Sequence, residues 1–425
     1  MLDPKSLETQ REAILQSVRR RGLKFDLTAA IALHGRVAEL QTQLNVANQR
    51  RNEHQAQGKH PLAAEAREAH VAEGRRLKEA AAGLEAELAA ARALLDAELK
   101  RFPNFVHPKA PEGGEEDFRE LRRVGEPAAF TFPPLDHIAL GEKLALFDFE
   151  GAARVAGQKF YYLKNAAVLL DLALQRYALE ILLADGFTPL ITPDLARPEI
   201  VEGIGFNPRG EETQIYSLAN VDLCLIGTAE ITLGGLYADH IFEESELPIK
   251  LAGISHCFRT EAGSAGRESK GLYRVHQFTK VEMFVFTHPE ASEAMHEHLL
   301  ALEERIFQGL ELPYRVIDVA AGDLGAPAYR KFDLEAWMPG RGEGGAYGEV
   351  TSTSNCTDYQ ARRLRTRFRR KDGKKNELVH MLNGTAVATS RALIALLENH
   401  QRADGSVVIP KALRPYAGIE VIQPR

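Results

Sequence analysis

Two stretches of the N-terminal quarter repeat apolar residues at alternating spacings of three and four. Such spacing is an a/d heptad seam, the pattern with which two helices supercoil and interlock their side chains. The first stretch comprises Ala30, Leu33, Val37, Leu40, Leu44 and Ala47, and the second comprises Leu77, Ala81, Leu84, Leu88, Ala91 and Leu95. The pattern predicts two long helices that pack as a coiled coil.

The two seams are separated by Gly58, Lys59, His60 and Pro61, where glycine and proline interrupt a helix and permit a reversal. We therefore expect an antiparallel hairpin within residues 27–102. A helix of about thirty residues reaches roughly 50 Å. From the seam alone, the hairpin is either a spacer or dimerisation element, or an arm that offers basic side chains to a polyanion. The candidate basic side chains are Arg50, Arg51, Arg67, Arg75, Arg76 and Lys78.

Prolines and glycines are concentrated immediately after the hairpin, which is typical of a domain boundary. We predict a helical domain at residues 1–102, a linker at 103–118 and a second domain at 119–425. In the second domain, alternating apolar positions predict strands and longer periodic segments predict helices. The predicted strands include 250–258 and 275–286, and the predicted helices include 166–184, 289–310 and 386–400. This mixture indicates an α+β fold with a mainly antiparallel sheet.

The composition indicates the class of protein and the cellular compartment. The chain has 425 residues, of which 44% are hydrophobic and 26% are charged, as in ordinary globular proteins. It shows neither a signal-peptide pattern at its start nor an apolar run of about 18 residues. Its cysteines, Cys224, Cys257 and Cys356, are far apart and lack CxxC spacing. We therefore expect a cytoplasmic protein without a disulfide framework and without zinc.

The charge is unevenly distributed. Residues 1–110 contain 18 Lys and Arg against 14 Asp and Glu, a net charge of +4, whereas the remainder has a net charge of −10. A mildly basic N-terminal module is compatible with RNA binding, and equally with a solvated helical surface. No phosphate loop of the GxxxxGK[ST] type and no strand–GxGxxG–helix unit occurs. The glycine-rich segment 340–348 is better interpreted as a loop between strands.

Charged residues on two predicted strands form the main chemical signal. Arg259 and Glu261 are two residues apart, which in an extended chain places them on one side. After a loop rich in Gly, Ser and Lys, a second strand would place Arg274, His276, Phe278, Lys280 and Glu282 on one face. Guanidinium groups match phosphate oxygens and a phenyl ring can stack on adenine, so this surface suits ATP. The alternative is a surface sheet with cross-strand ion pairs.

Several segments of the sequence, taken together, resemble a known family. The strand–loop–strand block is similar to motif 2 of class II aminoacyl-tRNA synthetases. Residues 186–193 resemble motif 1, and residues 382–398, with Arg391, resemble motif 3. The segments 228–230 (TAE) and 354–363 (SNCTDYQARR), with the N-terminal hairpin, narrow the resemblance to seryl-tRNA synthetases of bacterial type. The resemblance covers essentially the whole chain.

The resemblance implies a ligase that activates L-serine with ATP and transfers the seryl group to the 3′ end of tRNA(Ser). It implies that Arg259 holds the α-phosphate, that Arg274 and Arg391 hold the outer phosphates, and that Phe278 and Arg391 enclose the adenine. Arg259 and Arg391 are the residues expected to act in catalysis. The full set implied for ATP is Arg259, Thr260, Glu261, Arg274, Val275, Phe278, Glu349, Val350, Thr351, Ser352 and Arg391.

For serine, the resemblance implies a site made of Thr228, Ala229, Glu230, Glu282 and Thr385. Glu230 would receive the ammonium group, and Glu282 with Thr385 would receive the hydroxyl group. Glu349 and Ser352 match positions that hold magnesium, which prefers oxygen ligands.

The implied partners are tRNA(Ser), bound by the coiled-coil arm, and a second copy of the chain in a homodimer. The sequence leaves two alternative functions open. One is a synthetase-like protein that charges a carrier protein, although shortened relatives of that kind lack the arm. The other is a coiled-coil interaction protein with an inactive catalytic domain, against which the retained charged residues argue. The basic run 362–375 either approaches the acceptor stem or is a solvated strand and loop.

Overall fold

The computed structural model describes residues 1–59, 63–207, 213–261, 271–371, 373 and 375–424. The chain separates into two compact units, residues 1–105 and residues 106–425. In the part of the chain that the structure describes, no helix is both long enough and apolar enough to cross a membrane.

Unit 1 is helical. Its helices are α1 (Arg11–Arg20), α2 (Thr28–Gln57) and α3 (Ala64–Lys100). The predicted seams form a buried cluster between α2 and α3, with Leu40, Leu44, Ala81, Leu88 and Ala91 at its centre. A second buried cluster lies where the start of α2 and the end of α3 pack against α1.

Two contacts fix the direction of the helix pair. Arg36 Nη2 lies 3.0 Å from Glu87 Oε2, and His54 Nε2 lies 2.9 Å from the carbonyl oxygen of His70. Because the partner number falls as the α2 number rises, the helices are antiparallel, and the predicted hairpin is confirmed. Helix α2 ends before Gly58, as predicted; His60 and Pro61 lie outside the described residues.

Unit 2 combines helices and strands. Its helices are α4 (His137–Lys143), α5 (Phe149–Ala156), α6 (Ala166–Ala184), α7 (Pro198–Ile204), α8 (Ala229–Gly235), α9 (Ser292–Gly309), α10 (Tyr359–Leu364), α11 (Thr389–Asn399) and α12 (Arg414–Ala417). Its strands are β1 (Arg119–Val124), β2 (Phe147–Asp148), β3 (Tyr162–Leu163), β4 (Thr188–Ile191), β5 (Leu195–Ala196), β6 (Cys224–Leu225), β7 (Ile241–Glu243), β8 (Ile249–Phe258), β9 (Gln277–Thr287), β10 (Tyr314–Asp318), β11 (Arg330–Met338), β12 (Ala346–Asn355), β13 (Arg367–Arg369), β14 (Asn376–Leu378), β15 (His380–Ala388), β16 (Val407–Val408) and β17 (Val421–Ile422).

The main sheet has the order β1-β10-β11-β12-β15-β9-β8-β4. Each neighbouring pair is antiparallel except β4 and β8, which are parallel. The predicted α+β class and mainly antiparallel sheet are therefore confirmed. One face of the sheet packs against α6, α9 and α11 in the largest apolar cluster, and the other packs partly against α7, α8 and α10.

Strand β9 shows why a cavity lies on the second face of the main sheet, the face that packs partly against α7, α8 and α10. Val281, Met283 and Val285 point into the large cluster, and Phe284 and Phe286 into the smaller one. Because side chains alternate across a strand, Glu282 lies on the same face as these phenylalanines. The apolar packing on this face therefore stops at Glu282, and the face continues as the wall of a cavity.

Several boundaries differ from the predictions. Residues 386–388 belong to β15 rather than to the helix that follows, and α9 begins at Ser292 after a short 3-10 turn. The glycine-rich segment is a loop between β11 and β12, as predicted, although β12 begins at Ala346.

The predicted linker also contains packed residues. Val106 and Ala110 are buried in a cluster with Ile317, near the end of β10, and Val319, which directly follows that strand, and so belong to unit 2. The prolines and glycines of 103–118 indicated a boundary, but they do not prevent the apolar residues between them from packing.

Candidate active site

A cavity of about 750 Å³ opens on the second face of the main sheet, next to α8. A narrower cleft of about 50 Å³ adjoins it and shares part of its wall. The sequence-predicted residues that line one or both are Thr228, Glu230, Arg259, Glu261, Arg274, Val275, Phe278, Glu282, Glu349, Val350, Thr351, Ser352, Thr385 and Arg391. Residues that lie far apart in the sequence therefore meet at one site.

Two predicted residues lie behind this wall. Ala229 is fully buried in the smaller apolar cluster. Thr260 donates its hydroxyl hydrogen to the carbonyl oxygen of Thr213 at 2.6 Å, and its backbone NH donates to Gln214. Neither residue lines the cavity or the cleft.

One end of the cavity contains a buried carboxylate, Glu230, at the start of α8. Its Oε1 atom accepts hydrogen bonds from Gln360 Nε2 at 2.7 Å and from Asn383 Nδ2 at 2.9 Å. Burial and the nearby negative charge of Glu282 raise the pKa of Glu230 to about 7, although the Gln360 hydrogen bond and the charges of Lys280 and Arg259 oppose this. Near neutral pH this carboxyl group is therefore poised between its two protonation states.

A second carboxylate, Glu282, faces the same end of the cavity from β9. It forms an ion pair with Lys280, two residues away on the same face of the strand. Thr385 on the neighbouring strand β15 donates its hydroxyl hydrogen to Glu282 Oε2 at 3.4 Å. This end thus offers carboxylate oxygens, one ammonium group and one hydroxyl group, all on buried residues. Such a set can bind a small molecule that has both an amino and a hydroxyl group.

The other end is dominated by arginines. Arg391, on α11, pairs with Glu349 of β12 at 3.0 Å, and its guanidinium lies over the Tyr273 ring at 4.5 Å from the centroid. Burial opposes ionisation of Glu349, but the positive charges of Arg391 and Lys331 more than compensate and hold the pKa of this carboxyl group well below its usual value. Glu349 is therefore ionised under all physiological conditions.

Arg259 and Arg274 flank the passage between the two ends. The guanidinium of Arg259 lies 5.3 Å from the centroid of the Phe278 ring, and its Nε donates to the carbonyl oxygen of Gly227 at 3.2 Å. Arg274 lies 3.6 Å from Glu261. Among the described residues, Arg259 has no carboxylate within ion-pair distance, so it is the arginine best placed to accept a new anion.

Comparisons with known proteins agree with this geometry. Residues 1–106 match the model of the seryl-tRNA synthetase N-terminal domain, and residues 216–400 match that of the class II tRNA synthetase core domain for G, H, P, S and T. The chain is 53% identical to a serine–tRNA ligase of Treponema denticola over 99% of this chain and 100% of that protein. It is 54% identical to a serine–tRNA ligase of Rhodopirellula baltica over the full length of both. The chain belongs to the seryl-tRNA synthetase family.

Solved structures of the family extend the comparison. Seryl-tRNA synthetase from Pyrococcus horikoshii, complexed with ATP, superposes with a TM-score of 0.90 at 39% identity, and each chain is covered in full. A cytoplasmic serine–tRNA ligase from Naegleria fowleri in complex with AMP gives a TM-score of 0.83 at 33% identity, covering 100% of this chain and 99% of that one. Members of this family are ligases of the aminoacyl-tRNA synthetase class. The fold and class predicted from the sequence are thereby confirmed.

The local geometry differs from the sequence-based picture of motif 2 in one respect. Strand β8 ends at Phe258, and Glu261 has a φ of 52°, in the left-handed region. The chain therefore turns after Arg259, and the approach of Glu261 to Arg274 results from this turn rather than from strand alternation. Similarly, β9 begins at Gln277, so Arg274 and His276 precede the strand. The loop between these segments, residues 262–270, lies outside the described residues.

Several cavity residues were not assigned from the sequence. Strand alternation predicts the face of β9 on which Lys280 lies, but the sequence assigns no role to Lys280, although it assigns one to its ion-pair partner Glu282. Gln360 and Asn383 lie within the segments that resembled the family, yet their convergence on Glu230 depends on tertiary packing. Lys331, which pairs with Asp333 at 3.1 Å in the cavity wall, had no sequence signal at all.

The basic run after residue 361 is mostly paired where the structure describes it. Arg365 forms an ion pair with Asp239, and Arg369 lies 2.7 Å from Glu243. Arg370 lies 2.8 Å from Glu377 and also pairs with Glu290. These contacts favour a solvated strand and loop with cross-element ion pairs. Asp372 and Lys374 lie outside the described residues.

Proposed function

We propose that this member of the seryl-tRNA synthetase family activates L-serine with ATP to seryl-adenylate and then transfers the seryl group to the 3′ end of tRNA(Ser). The observation that carries the proposal is that a cavity with two carboxylates adjoins an arginine-rich cleft. One end matches an amino and a hydroxyl group, and the other matches phosphates and an adenine ring.

Serine is bound at the carboxylate end. Its ammonium group approaches Glu230, which lies beside Thr228 at the start of α8, and its hydroxyl group meets Glu282 and Thr385. This arrangement selects for the hydroxyl group, because alanine would leave buried polar groups without a partner. A site of that kind rejects analogues without the hydroxyl group by roughly 10⁴- to 10⁵-fold.

ATP is bound at the arginine end. Arg259 holds the α-phosphate, Arg274 and Arg391 hold the outer phosphates, and the adenine ring lies between Phe278 and Arg391. The Tyr273 ring already stabilises the Arg391 guanidinium on one side, which keeps it in place for this role. The backbone from Val350 to Ser352 and the edge-recognising pair Glu261 and Val275 complete the nucleotide site.

The reaction needs little covalent assistance from side chains. A carboxylate oxygen of serine attacks the α-phosphorus, and the bond from that phosphorus to the β-phosphate oxygen breaks, releasing pyrophosphate. Arg259 and Arg391 stabilise the negative charge that develops, in a site pre-arranged by its ion pairs. A terminal tRNA hydroxyl then attacks the seryl carbonyl carbon, and AMP leaves.

Magnesium fits the residues present. Among described residues, no cluster of three or more His, Cys, Asp or Glu is arranged to hold a metal. Magnesium, however, is bound through one or two carboxylates together with substrate phosphates and water. Glu349, held in its ionised form, and the Ser352 hydroxyl in the cavity wall are the oxygen donors that would hold it. When bound, it would neutralise phosphate charge.

The proposal includes a homodimer. On unit 2, α6 and the edge strand β4 expose apolar side chains, including Leu172 at 58% and Ile191 at 86% exposure. Exposed apolar residues on an edge strand and an adjacent helix are typical of a protein–protein interface. Residues 186–193, which resembled motif 1, include this strand. The mass of the protein in solution, measured by light scattering, tests this part.

The tRNA is bound by the arm formed by α2 and α3, and the enzyme acts in the cytoplasm, where tRNA is charged. The buried cysteines, which form no disulfide in the described chain, are consistent with a reducing compartment. The test of the whole proposal has two stages: serine-dependent ATP–pyrophosphate exchange, then transfer of radiolabelled serine to tRNA(Ser). Exchange without transfer would indicate a carrier-protein ligase, and absence of exchange would indicate an inactive catalytic domain.

A further inference from the structure

Gln360 is buried beneath the serine end of the cavity and does not line it. It lies on the short helix α10, whereas Glu230 lies on α8 and Asn383 on β15. Its Nε2 atom donates to Glu230 Oε1 at 2.7 Å and to the carbonyl oxygen of Ile204, the last residue of α7, at 3.1 Å. One amide group therefore connects the ends of three elements at the base of the site.

The orientation of this amide is fixed by its neighbours. Both atoms near Nε2 are oxygens that accept hydrogen bonds, so a reversed amide would place Oε1 against two acceptors. The Oε1 atom of Gln360 is buried and has no hydrogen-bond partner among the described residues. Leaving a buried acceptor unpaired is unfavourable, so the two donations from Nε2 must outweigh this loss.

The consequence lies in how Glu230 is oriented. Gln360 and Asn383 both donate to the same carboxylate oxygen, Oε1. Within the described chain, Oε2 receives no hydrogen bond, and Glu230 lines the cavity. The two amides thus hold one oxygen and leave the other directed to a ligand.

We infer that Gln360 is a positioning residue for serine: with Asn383 it fixes the Glu230 carboxylate so that the second oxygen receives the ammonium group of the substrate. The inference rests on the proposed function, since it takes serine as the ligand. Gln360 contributes through Glu230 and does not touch the substrate or the nucleotide.

The hydrogen bond also favours the charged form of Glu230. Burial raises the pKa of this carboxyl group to about 7, and the Gln360 amide acts against that rise. The other groups that act on it are Glu282 and Lys280 on β9, Arg259 after β8, and the neutral Asn383 amide on β15. Because an ammonium ion pairs with a carboxylate and not with a carboxylic acid, loss of the amide should weaken serine binding most below the pKa of Glu230.

The test is Gln360→Met, which keeps the length of the side chain but removes the donor. The matched control is Gln401→Met. Gln401 is another buried glutamine of unit 2, whose amide binds the backbone of Leu135 and Glu398 and which does not line the cavity. Loss of a hydrogen bond to a charged group predicts a rise in the KM for serine on the order of 10- to 100-fold, measured by ATP–pyrophosphate exchange.

Two further readouts separate positioning from general damage. The KM for ATP should stay within about twofold of the parent value, whereas a lesion of the whole site would raise both KM values. The pH at which kcat/KM for serine reaches half of its plateau should move upward in Gln360→Met and stay unchanged in Gln401→Met. Should Gln360→Met be too unstable to assay, Gln360→Asn tests the same contact, because it withdraws the amide by one methylene group.

The inference is overturned if the parent enzyme exchanges with serine but Gln360→Met, or Gln360→Asn, shows an unchanged serine KM and pH profile. It is equally overturned if the KM values for serine and ATP rise together. Failure of the proposed function has a different signature, because the parent enzyme itself would then show no serine-dependent exchange.

Discussion

Several cationic side chains in the cavity of unit 2 are paired and at least partly buried, whereas several on the arm of unit 1 have no ion-pair partner among the described residues. In the cavity, Lys280, Arg274 and Arg391 each have a carboxylate partner, and each pair is at least half-buried. On the arm, Arg50, Arg51 and Arg75 have no ion-pair partner within the described chain, and Arg50 and Arg75 are exposed. Buried pairs hold side chains in fixed positions, whereas exposed charges add to a diffuse field.

This contrast predicts how each region responds to mutation. In the cavity, removal of one group leaves its buried partner without compensation, so single substitutions should have large and specific effects. On the arm, each arginine contributes a small and salt-dependent share of binding to a polyanion. Single substitutions in the cavity should therefore reduce activity far more than single substitutions on the arm.

Glu282→Ala should abolish serine activation. The substitution removes the proposed acceptor for the serine hydroxyl group and leaves the buried Lys280 without its partner. We expect serine-dependent ATP–pyrophosphate exchange to fall by on the order of 10³-fold or more, with the fold retained in circular dichroism. The matched control is Glu297→Ala, because Glu297 is an exposed glutamate on α9. Near-normal exchange by Glu282→Ala would refute the assignment of the serine pocket.

Deletion of residues 35–95 should separate the two steps of the reaction. The deletion removes most of α2 and α3, and unit 2 has an apolar core of its own. Adenylate formation, measured by pyrophosphate exchange, should therefore stay within about threefold of the parent, whereas charging of tRNA(Ser) should fall by on the order of 100-fold. Full charging activity after the deletion would mean that the arm has another role.

Glu230→Gln should stabilise the protein while inactivating it. The pKa of Glu230 is raised to about 7 in the folded protein, above the value of 4.5 expected in the unfolded chain. The folded state therefore binds this proton more tightly, so ionisation of the carboxyl group destabilises the fold as the pH rises from 4.5 to 7. A neutral amide at this position removes that penalty.

The expected gain in the free energy of unfolding is on the order of 3 kcal/mol above pH 7, and it disappears below pH 4.5, where both states are protonated. Denaturant unfolding of the parent and Glu230→Gln at pH 4.5 and pH 8 measures this difference. A gain of equal size at both pH values would show that ionisation is not its cause.

The same contrast explains what the sequence could predict. The arm depends on a local repeat, so its helices and seam followed from the spacing of Leu40, Leu44, Leu88 and similar residues, and its antiparallel direction followed from the helix-breaking residues between the two seams. Strand alternation likewise placed Lys280 and Glu282 on one face of β9. The partner of Glu230 could not be predicted in this way, because Gln360 reaches it only through the packing of α10 against α7 and α8. The left-handed turn at Glu261 also escaped prediction, since its residue type favours no such conformation.

The smallest effect is expected on the arm. Simultaneous Arg50→Ala and Arg75→Ala should raise the KM for tRNA(Ser) by about three- to tenfold at low salt, because each removes one exposed positive charge from the surface proposed to bind the tRNA phosphates. The effect should diminish as the salt concentration rises, and pyrophosphate exchange should be unchanged. Arg19→Ala is the control, since Arg19 is an exposed arginine of unit 1 that already pairs with Glu12 at 2.7 Å. If the double variant and Arg19→Ala bind tRNA equally well at every salt concentration, these arginines do not contact the RNA, and the arm must bind it through another face.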